Sequence, residues 1–326
     1  MHFSKGKLNP LNITSATKYK RLTNLKYFAF DSLYQKQLLS IAPNIDKLID
    51  TDATLKSSKK TSAKLFSVDS DVFFGKHVRF YNKVFYSRLR YIIQPTRDLW
   101  AAWIAKKLEN SGILTPKVYA IGQRKNLGII TDTYIITEAL LDAQSLHDFV
   151  YMRPNDALSI LERGGKAIRQ LHNAGVTHGD AKLANLYLQN EKIGFWDLDS
   201  AKIFKGQVPK MLILEDLARF LSSFLRTVDE SSTHKNIPVN ISIGQVCNIL
   251  AESYGIESKE LLDEYYKKWH LKLNLNHFDD ELNSAIPVYK TKRAYQLRST
   301  RLIKAWTRQS SFLADLNNSI DYEGRK

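Results

Sequence analysis

The chain is 326 residues long, 44% hydrophobic and carries a formal charge of +15, with a pI near 9.6. Its length suits one large two-lobed domain or two ordinary ones; the apolar share excludes a disordered chain, and 14 Gly with 8 Pro exclude a collagen-like one. Its single cysteine, Cys247, excludes an internal disulfide and a Cys-rich zinc site, and the excess of base points to anionic partners.

Residues 1–60 begin basic and polar, with no acid before Asp31, and read as an N-terminal extension that is partly helical over Ser32–Ile49. Neither a secretory signal in Met1–Leu11 nor an apolar run of about 18 residues is evident, so a soluble cytoplasmic protein is expected. From Lys64 to Tyr86 β-branched and aromatic residues alternate around Asp69–Asp71 and Gly75, which predicts short antiparallel strands. A helix is predicted after Pro95, with Asp98 at its positive end and Gly112 past its close. Strands follow at Lys117–Ile121 and Ile129–Ile136, around a polar turn at Gln123–Asn126.

Beyond Ser145 the periodicity turns helical: Asn155–Ala174, Leu212–Thr227, Val246–Tyr254, Leu262–Leu271 and Ala294–Leu313. The fold class is therefore α+β, with a small β-rich lobe at 61–140 and a larger helical lobe at 141–326.

Between the lobes, His178-Gly-Asp180 precedes Asn185 by a short spacer, and Asp197-Leu-Asp199 follows. Leu186/Leu188 and Ile193/Phe195 flank the turn Gln189–Lys192, so a hairpin would return Asp197 beside Asn185. Convergent oxygens of this kind suit phosphoryl transfer, which relies on positioning and on stabilising phosphate charge. Asn185 and Asp197 would ligate Mg²⁺ of Mg-ATP, with Asp199 either a second metal contact or a turn residue. Asp180 would orient the acceptor hydroxyl and take its proton, and Lys182 would reach the transferred phosphate.

This pattern resembles the catalytic and metal loops of the protein-kinase-like superfamily, with Gly179 in the Arg place of H-R-D and Asp197-Leu-Asp199 in the D-F-G place. A closer likeness, to the kinases of lipopolysaccharide core sugars (Kdo or heptose), is carried by Val78-Arg-Phe-Tyr-Asn82, by Gln94-Pro-Thr-Arg97 through Trp103 to Gly112-Ile-Leu-Thr-Pro116, and by Thr133–Glu138. The resemblance implies a bilobal kinase fold, ATP and Mg²⁺ as cofactors, and a sugar hydroxyl as acceptor at the cytoplasmic face of the inner membrane. It sets Arg79 at the strand position of the phosphate-holding lysine, with Lys76 nearby, and Asp98 as the nearest helix acid. Glu138 falls at the hinge where backbone groups meet adenine.

His178 reads as structural, and Asp216 as a helix-start residue with loop anchoring as the lesser reading. No G-x-G-x-x-G loop precedes the strand cation, which leaves the turn Asp69–Asp71 or Gly75 to cover the phosphates. The stretch Pro287–Ser310, dense in Lys and Arg with Tyr289, Tyr295 and Trp306 interleaved, fits either a solvated helix face or an anionic glycolipid surface. Nucleic acid is not expected, since no reader motif accompanies the charge. The alternatives are a kinase of an aminoglycoside or choline-like cation, a protein Ser/Thr kinase, and a pseudokinase that binds without turnover.

Overall fold

The computed structural model describes residues 18–22, 25–29, 33–50, 56–57, 60–80, 91, 95–235, 241 and 243–268. They fall into two units, one built from residues up to Trp103 with Lys117–Ala139, the other from Ile104–Pro116 and Leu140 onward. The basic stretch 287–310 and the helix expected at 294–313 lie outside the described residues.

The first unit is organised on a seven-stranded sheet. Its strands are β1 (Lys18–Leu22), β2 (Leu25–Ala29), β3 (Lys56–Ser57), β4 (Thr61–Val68), β5 (Asp71–Arg79), β6 (Val118–Asn126) and β7 (Ile129–Glu138), in the antiparallel order β1-β2-β6-β7-β5-β4-β3. The described residues within the first 60 include sheet strands: β2 pairs with β6 from Leu25↔Arg124 to Ala29↔Ala120. Strand β6 also runs through Gln123–Asn126, expected to be a turn, because Arg124 is held in register with Asp132 and pairs with Asp46 at 2.7 Å. The reversal comes at Leu127 and Gly128, both at positive φ.

One sheet face is covered by α1 (Gln35–Ile41) and α2 (Ile45–Ile49), in the stretch expected to be partly helical. Pro43 opens a 3₁₀ turn, Ala42–Asn44, between them. Leu38, Ala42, Ile45 and Ile49 recur at helical spacing and bury against Tyr27, Phe66, Phe73 and Tyr134. A Cβ on Gly75 would lie 2.7 Å from Phe66 and 3.0 Å from Ile49, so the glycine admits the helix to the strand and is not open to a phosphate. The Asp69–Asp71 turn is likewise committed, Gln37 Nε2 donating to Val68 O at 2.7 Å and to Asp69 Oδ2 at 2.8 Å. The first half of α3 (Arg97–Asn110) buries Ala102 with Ile121 and Ile135.

The second unit is mostly helical: α4 (Leu146–Met152), α5 (Ala157–Asn173), α6 (Lys210–Lys235), α7 (Ile243–Tyr254) and α8 (Ser258–Lys268). Gly164 and Gly165 let α5 meet its neighbours closely, a Cβ there falling 2.3 Å from Phe220 and 1.9 Å from Ser253 Oγ. The predicted hairpin is present as β10 (Leu186–Gln189) and β11 (Lys192–Phe195), with β8 (Gln144–Ser145) on the other side of β10. A small pair, β9 (Val176–Thr177) with β12 (Lys202–Ile203), completes it. The division into a strand-rich and a mostly helical unit is α+β and protein-kinase-like.

Helix α4, which packs against the 3₁₀ turn Leu183–Asn185, starts with Ser145 Oγ accepting from Asp148 N at 3.0 Å. On it, burial works against the charge of His147, but Asp148 and Glu230 outweigh it and push the imidazole up to about 9. A raised folded-state pKa stabilises below the unfolded value, and the gain is lost as pH rises through the folded value. Thermal unfolding followed between pH 6 and pH 10 should therefore show up to about 3 kcal/mol of stability lost progressively between about pH 6.5 and pH 9, with little further change above it. His147→Gln should flatten that loss; an unchanged profile would refute it.

Candidate active site

Three features converge on the segment from His178 to Asp199. The pairs Leu186↔Phe195 and Gln189↔Lys192 fix the hairpin, so the residues before β10 and after β11 meet at its open end. Trp196 closes that end, its backbone N–H donating to Asn185 O at 3.1 Å and its indole Nε1–H to Ala184 O at 2.7 Å. Asp197 follows in the left-handed region at φ 54°, a conformation that aspartate tolerates. Exposed Asp197 stands just before a 3₁₀ turn at Leu198–Ser200, and half-buried Asp199 lies within it.

Asp180 is the centre of the cluster. Its Oδ2 accepts from Lys182 Nζ at 2.8 Å and Asn185 Nδ2 at 3.0 Å, and its Oδ1 from an Arg219 guanidinium nitrogen at 3.0 Å. Burial alone would raise its pKa, but Lys182 and then Arg219 outweigh it and hold the carboxyl below the usual range. Asn185 Nδ2 donates also to Asp180 O at 2.9 Å. With both amide hydrogens so used, its carbonyl oxygen faces away from Asp180. That oxygen and the Asp197 carboxylate are both oxygen ligands of the type that Mg²⁺ prefers.

His178 is structural. Its ring is fully buried, Nε2 lies 3.1 Å from Trp196 O, and burial lowers its pKa so that the neutral tautomer donates there. Asp216 is the anchor that the helix-start reading ranked second. Its carboxylate, 1% exposed, accepts the backbone N–H of His178 at 2.7 Å and of Gly179 at 2.8 Å. Ser223 Oγ accepts the N–H of Leu183 at 3.0 Å. Asp216, Arg219 and Ser223 are spaced i, i+3, i+7, so one face of α6 holds the whole loop. Arg219 and Ser223 escaped the sequence reading, yet a polar stripe at helical spacing inside the apolar run Leu212–Val228 was the available signal.

In the strand-rich unit the predicted cations part company, since neighbours three apart on a strand point to opposite faces. Arg79 lies on the α1/α2 face, 2.5 Å from Asp50 and 2.9 Å from Ser62 Oγ, next to His77, which bridges Asp50 and Asp132. Lys76 lies on the α3 face, its Nζ 3.8 Å from the buried carboxylate of Asp98, which also accepts from Thr133 Oγ1. The strand cation facing a helix acid is therefore Lys76. Glu138 ends β7 and clips the chain at Lys117, its Oε2 accepting that backbone N–H at 3.3 Å. Asp46, Asp50 and His77 bring ligand-type atoms within 4.8 Å of one another, but both carboxylates are engaged by arginines, Arg124 and Arg79.

Residues 55–239 match the profile of the lipopolysaccharide kinase (Kdo/WaaP) family. The chain belongs to this family. It is a family of phosphotransferases, and the matched span takes in the Lys76–Asp98 pair and the whole loop from His178 to Asp199. The chain is also similar to the KEOPS complex subunit Bud32 of Pyrococcus abyssi (strain GE5 / Orsay), 24% identical over 111 residues, 34% of this chain and 47% of that protein. It thus spans about half the length of that curated relative. Among solved structures it is similar to WaaP in complex with acyl carrier protein, at 18% identity and a TM-score of 0.48, covering 75% of this chain and 98% of that one.

Proposed function

We propose that this member of the lipopolysaccharide kinase (Kdo/WaaP) family transfers the γ-phosphate of Mg-ATP to a sugar hydroxyl of the lipopolysaccharide inner core. The observation that carries the reading is the charge-clamped Asp180, with Asn185 and Asp197 brought to the same end of one hairpin. Bound at Asn185 and Asp197, Mg²⁺ would neutralise phosphate charge. Asp180, ionised, accepts the hydrogen of the acceptor hydroxyl. As the acceptor oxygen bonds to the γ-phosphorus, the bond to the β–γ bridging oxygen breaks and the proton passes to the carboxylate. Lys182 stands beside Asp180 to meet the transferred phosphoryl group; within the strand-rich unit, Lys76 beside Asp98 takes the phosphate-holding role that the resemblance gives to a strand cation. Arg79, the first choice on sequence, serves Asp50 instead.

The cations beside Asp180 oppose a cationic acceptor, which counts against an aminoglycoside or choline-like substrate. Among the described residues no helix is long and apolar enough to cross a membrane. Access to a membrane-bound acceptor is proposed to be peripheral, from the cytoplasmic face.

The test is transfer of label from γ-labelled ATP to core oligosaccharide. Asp180→Ala and Asp197→Ala should each cut the rate about 100-fold or more while leaving the protein folded. Lys76→Ala should weaken ATP binding, whereas Arg79→Ala should cost stability. Labelling that persists in Asp180→Ala would sink the assignment.

A further inference from the structure

The donors around Asp180 do more than hold it. A carboxylate oxygen offers two in-plane lone pairs. Oδ2 spends both, on Lys182 and Asn185, while Oδ1 accepts only from Arg219 among the described residues. An incoming hydroxyl must therefore donate to Oδ1, next to the Arg219 guanidinium. Arg219 itself has Asp180 as its only hydrogen-bond partner among the described residues, and its side chain is 39% exposed. Four of its five N–H donors are left for a ligand.

The backbone of Arg219 is set against this loop, because Arg219 follows Asp216 by three residues on α6 and Asp216 is tied to the loop through His178 and Gly179, while the Asp180 contact orients the guanidinium. A fixed, half-exposed planar cation beside the accepting oxygen is suited to a bidentate oxyanion. Lys182 occupies the Oδ2 side and is a point charge, which fits a moving phosphoryl group better than a shaped substituent.

We infer that Arg219 is the acceptor-reading residue of this site: it binds a carboxylate or phosphate that the acceptor sugar carries close to the hydroxyl being phosphorylated. The inference rests on the sugar-kinase reading above. It makes the acceptor's own charge part of recognition, so the losses from removing that charge and from removing Arg219 should be strongly non-additive.

The experiment uses the full chain, Mg-ATP and deacylated core oligosaccharide in three forms: native, carboxyl-reduced and dephosphorylated. For wild type, one of the two altered forms should show KM raised about 10- to 100-fold, the loss expected for a charge-assisted hydrogen-bonded contact. Which form is affected tells carboxylate from phosphate. In Arg219→Gln the KM of the native form should rise to match, with little further change for the altered form. Arg219→Lys retains a cation on Asp180 and serves if the Gln variant folds poorly; it should keep the unfolding midpoint yet narrow the discrimination. A wild type indifferent to both charge removals overturns the inference. So does a fall in kcat shared by all three forms with KM unchanged, which would make Arg219 a positioning residue for Asp180 alone. If wild type labels none of the three forms, the sugar-kinase reading itself fails and the inference with it.

Discussion

Asp216→Ala should unfold this protein more readily than any loss of a catalytic side chain, and should silence it as well. The substitution takes away the acceptor for two backbone N–H groups, those of His178 and Gly179, and a partner at 3.2 Å of the buried His172 Nε2. A buried donor left without a partner costs about 1–3 kcal/mol, and here the acceptor lost is a charge. Removing one side of such a buried arrangement costs about 3–5 kcal/mol in total. The loss is local before it is global, because the two donors belong to the loop that presents Asp180. Denaturant unfolding should show the drop, and hydrogen exchange of residues 176–185 should show the loop opening. Asp216→Asn should do little better, since its amide NH₂ would face a backbone donor. An unaltered unfolding midpoint together with retained protection of those amides would refute the anchoring role.

What could be read from the sequence is what short-range geometry decides. The hairpin Leu186–Phe195 closes over a polar turn, so Asn185 and Asp197 could be paired without knowing anything else about the fold. The strand cations illustrate the limit. Alternation separates Lys76 from Arg79, but it cannot say which face a helix acid will cover; that depends on the packing of α3 on one face and α1/α2 on the other. The same blindness hid the role of residues 18–29. The alternation of Leu25, Tyr27 and Ala29 is a strand signal, but its partner β6 lies almost a hundred residues on, and the intervening polar residues gave no hint of the pairing.

Arg219 and Ser223 were missed, and loop anchoring by Asp216 ranked second, for a different reason. In a helix predicted from its apolar positions, polar residues count as the solvent side, and only the structure shows Asp216 buried against a loop. The protein therefore carries its site on two kinds of support. The hairpin aligns the oxygen donors, and one face of α6 holds the loop between them. That arrangement explains why the kinase-like residues are recognisable at short spacings while their anchors lie 37 to 40 positions further along the chain.

The sharpest probe of how closely the two loops are fitted is Gly179→Ala. Gly179 sits at φ +73°, where an L residue costs about 1–2 kcal/mol, and a Cβ there would lie 2.4 Å from Ser200 O and 3.0 Å from Ser200 C. Those are backbone atoms of the turn that follows Asp197, so relief requires the catalytic and metal loops to move apart. A side chain in this place, as in H-R-D loops, is incompatible with the observed approach. Two other glycines separate the contributions. Gly112, at φ +70° with open space around its Cβ position, should show the conformational cost alone, about 1–2 kcal/mol on change to alanine. Gly206, with neither a positive φ nor a neighbour within 4 Å, should be unaffected or slightly stabilised. Gly179→Ala should exceed Gly112→Ala by about 1–3 kcal/mol of overpacking, and alone among the three it should abolish phosphate transfer. If Gly179→Ala and Gly112→Ala destabilise equally and both retain transfer, the close contact with Ser200 has no part in holding the metal loop against the catalytic loop.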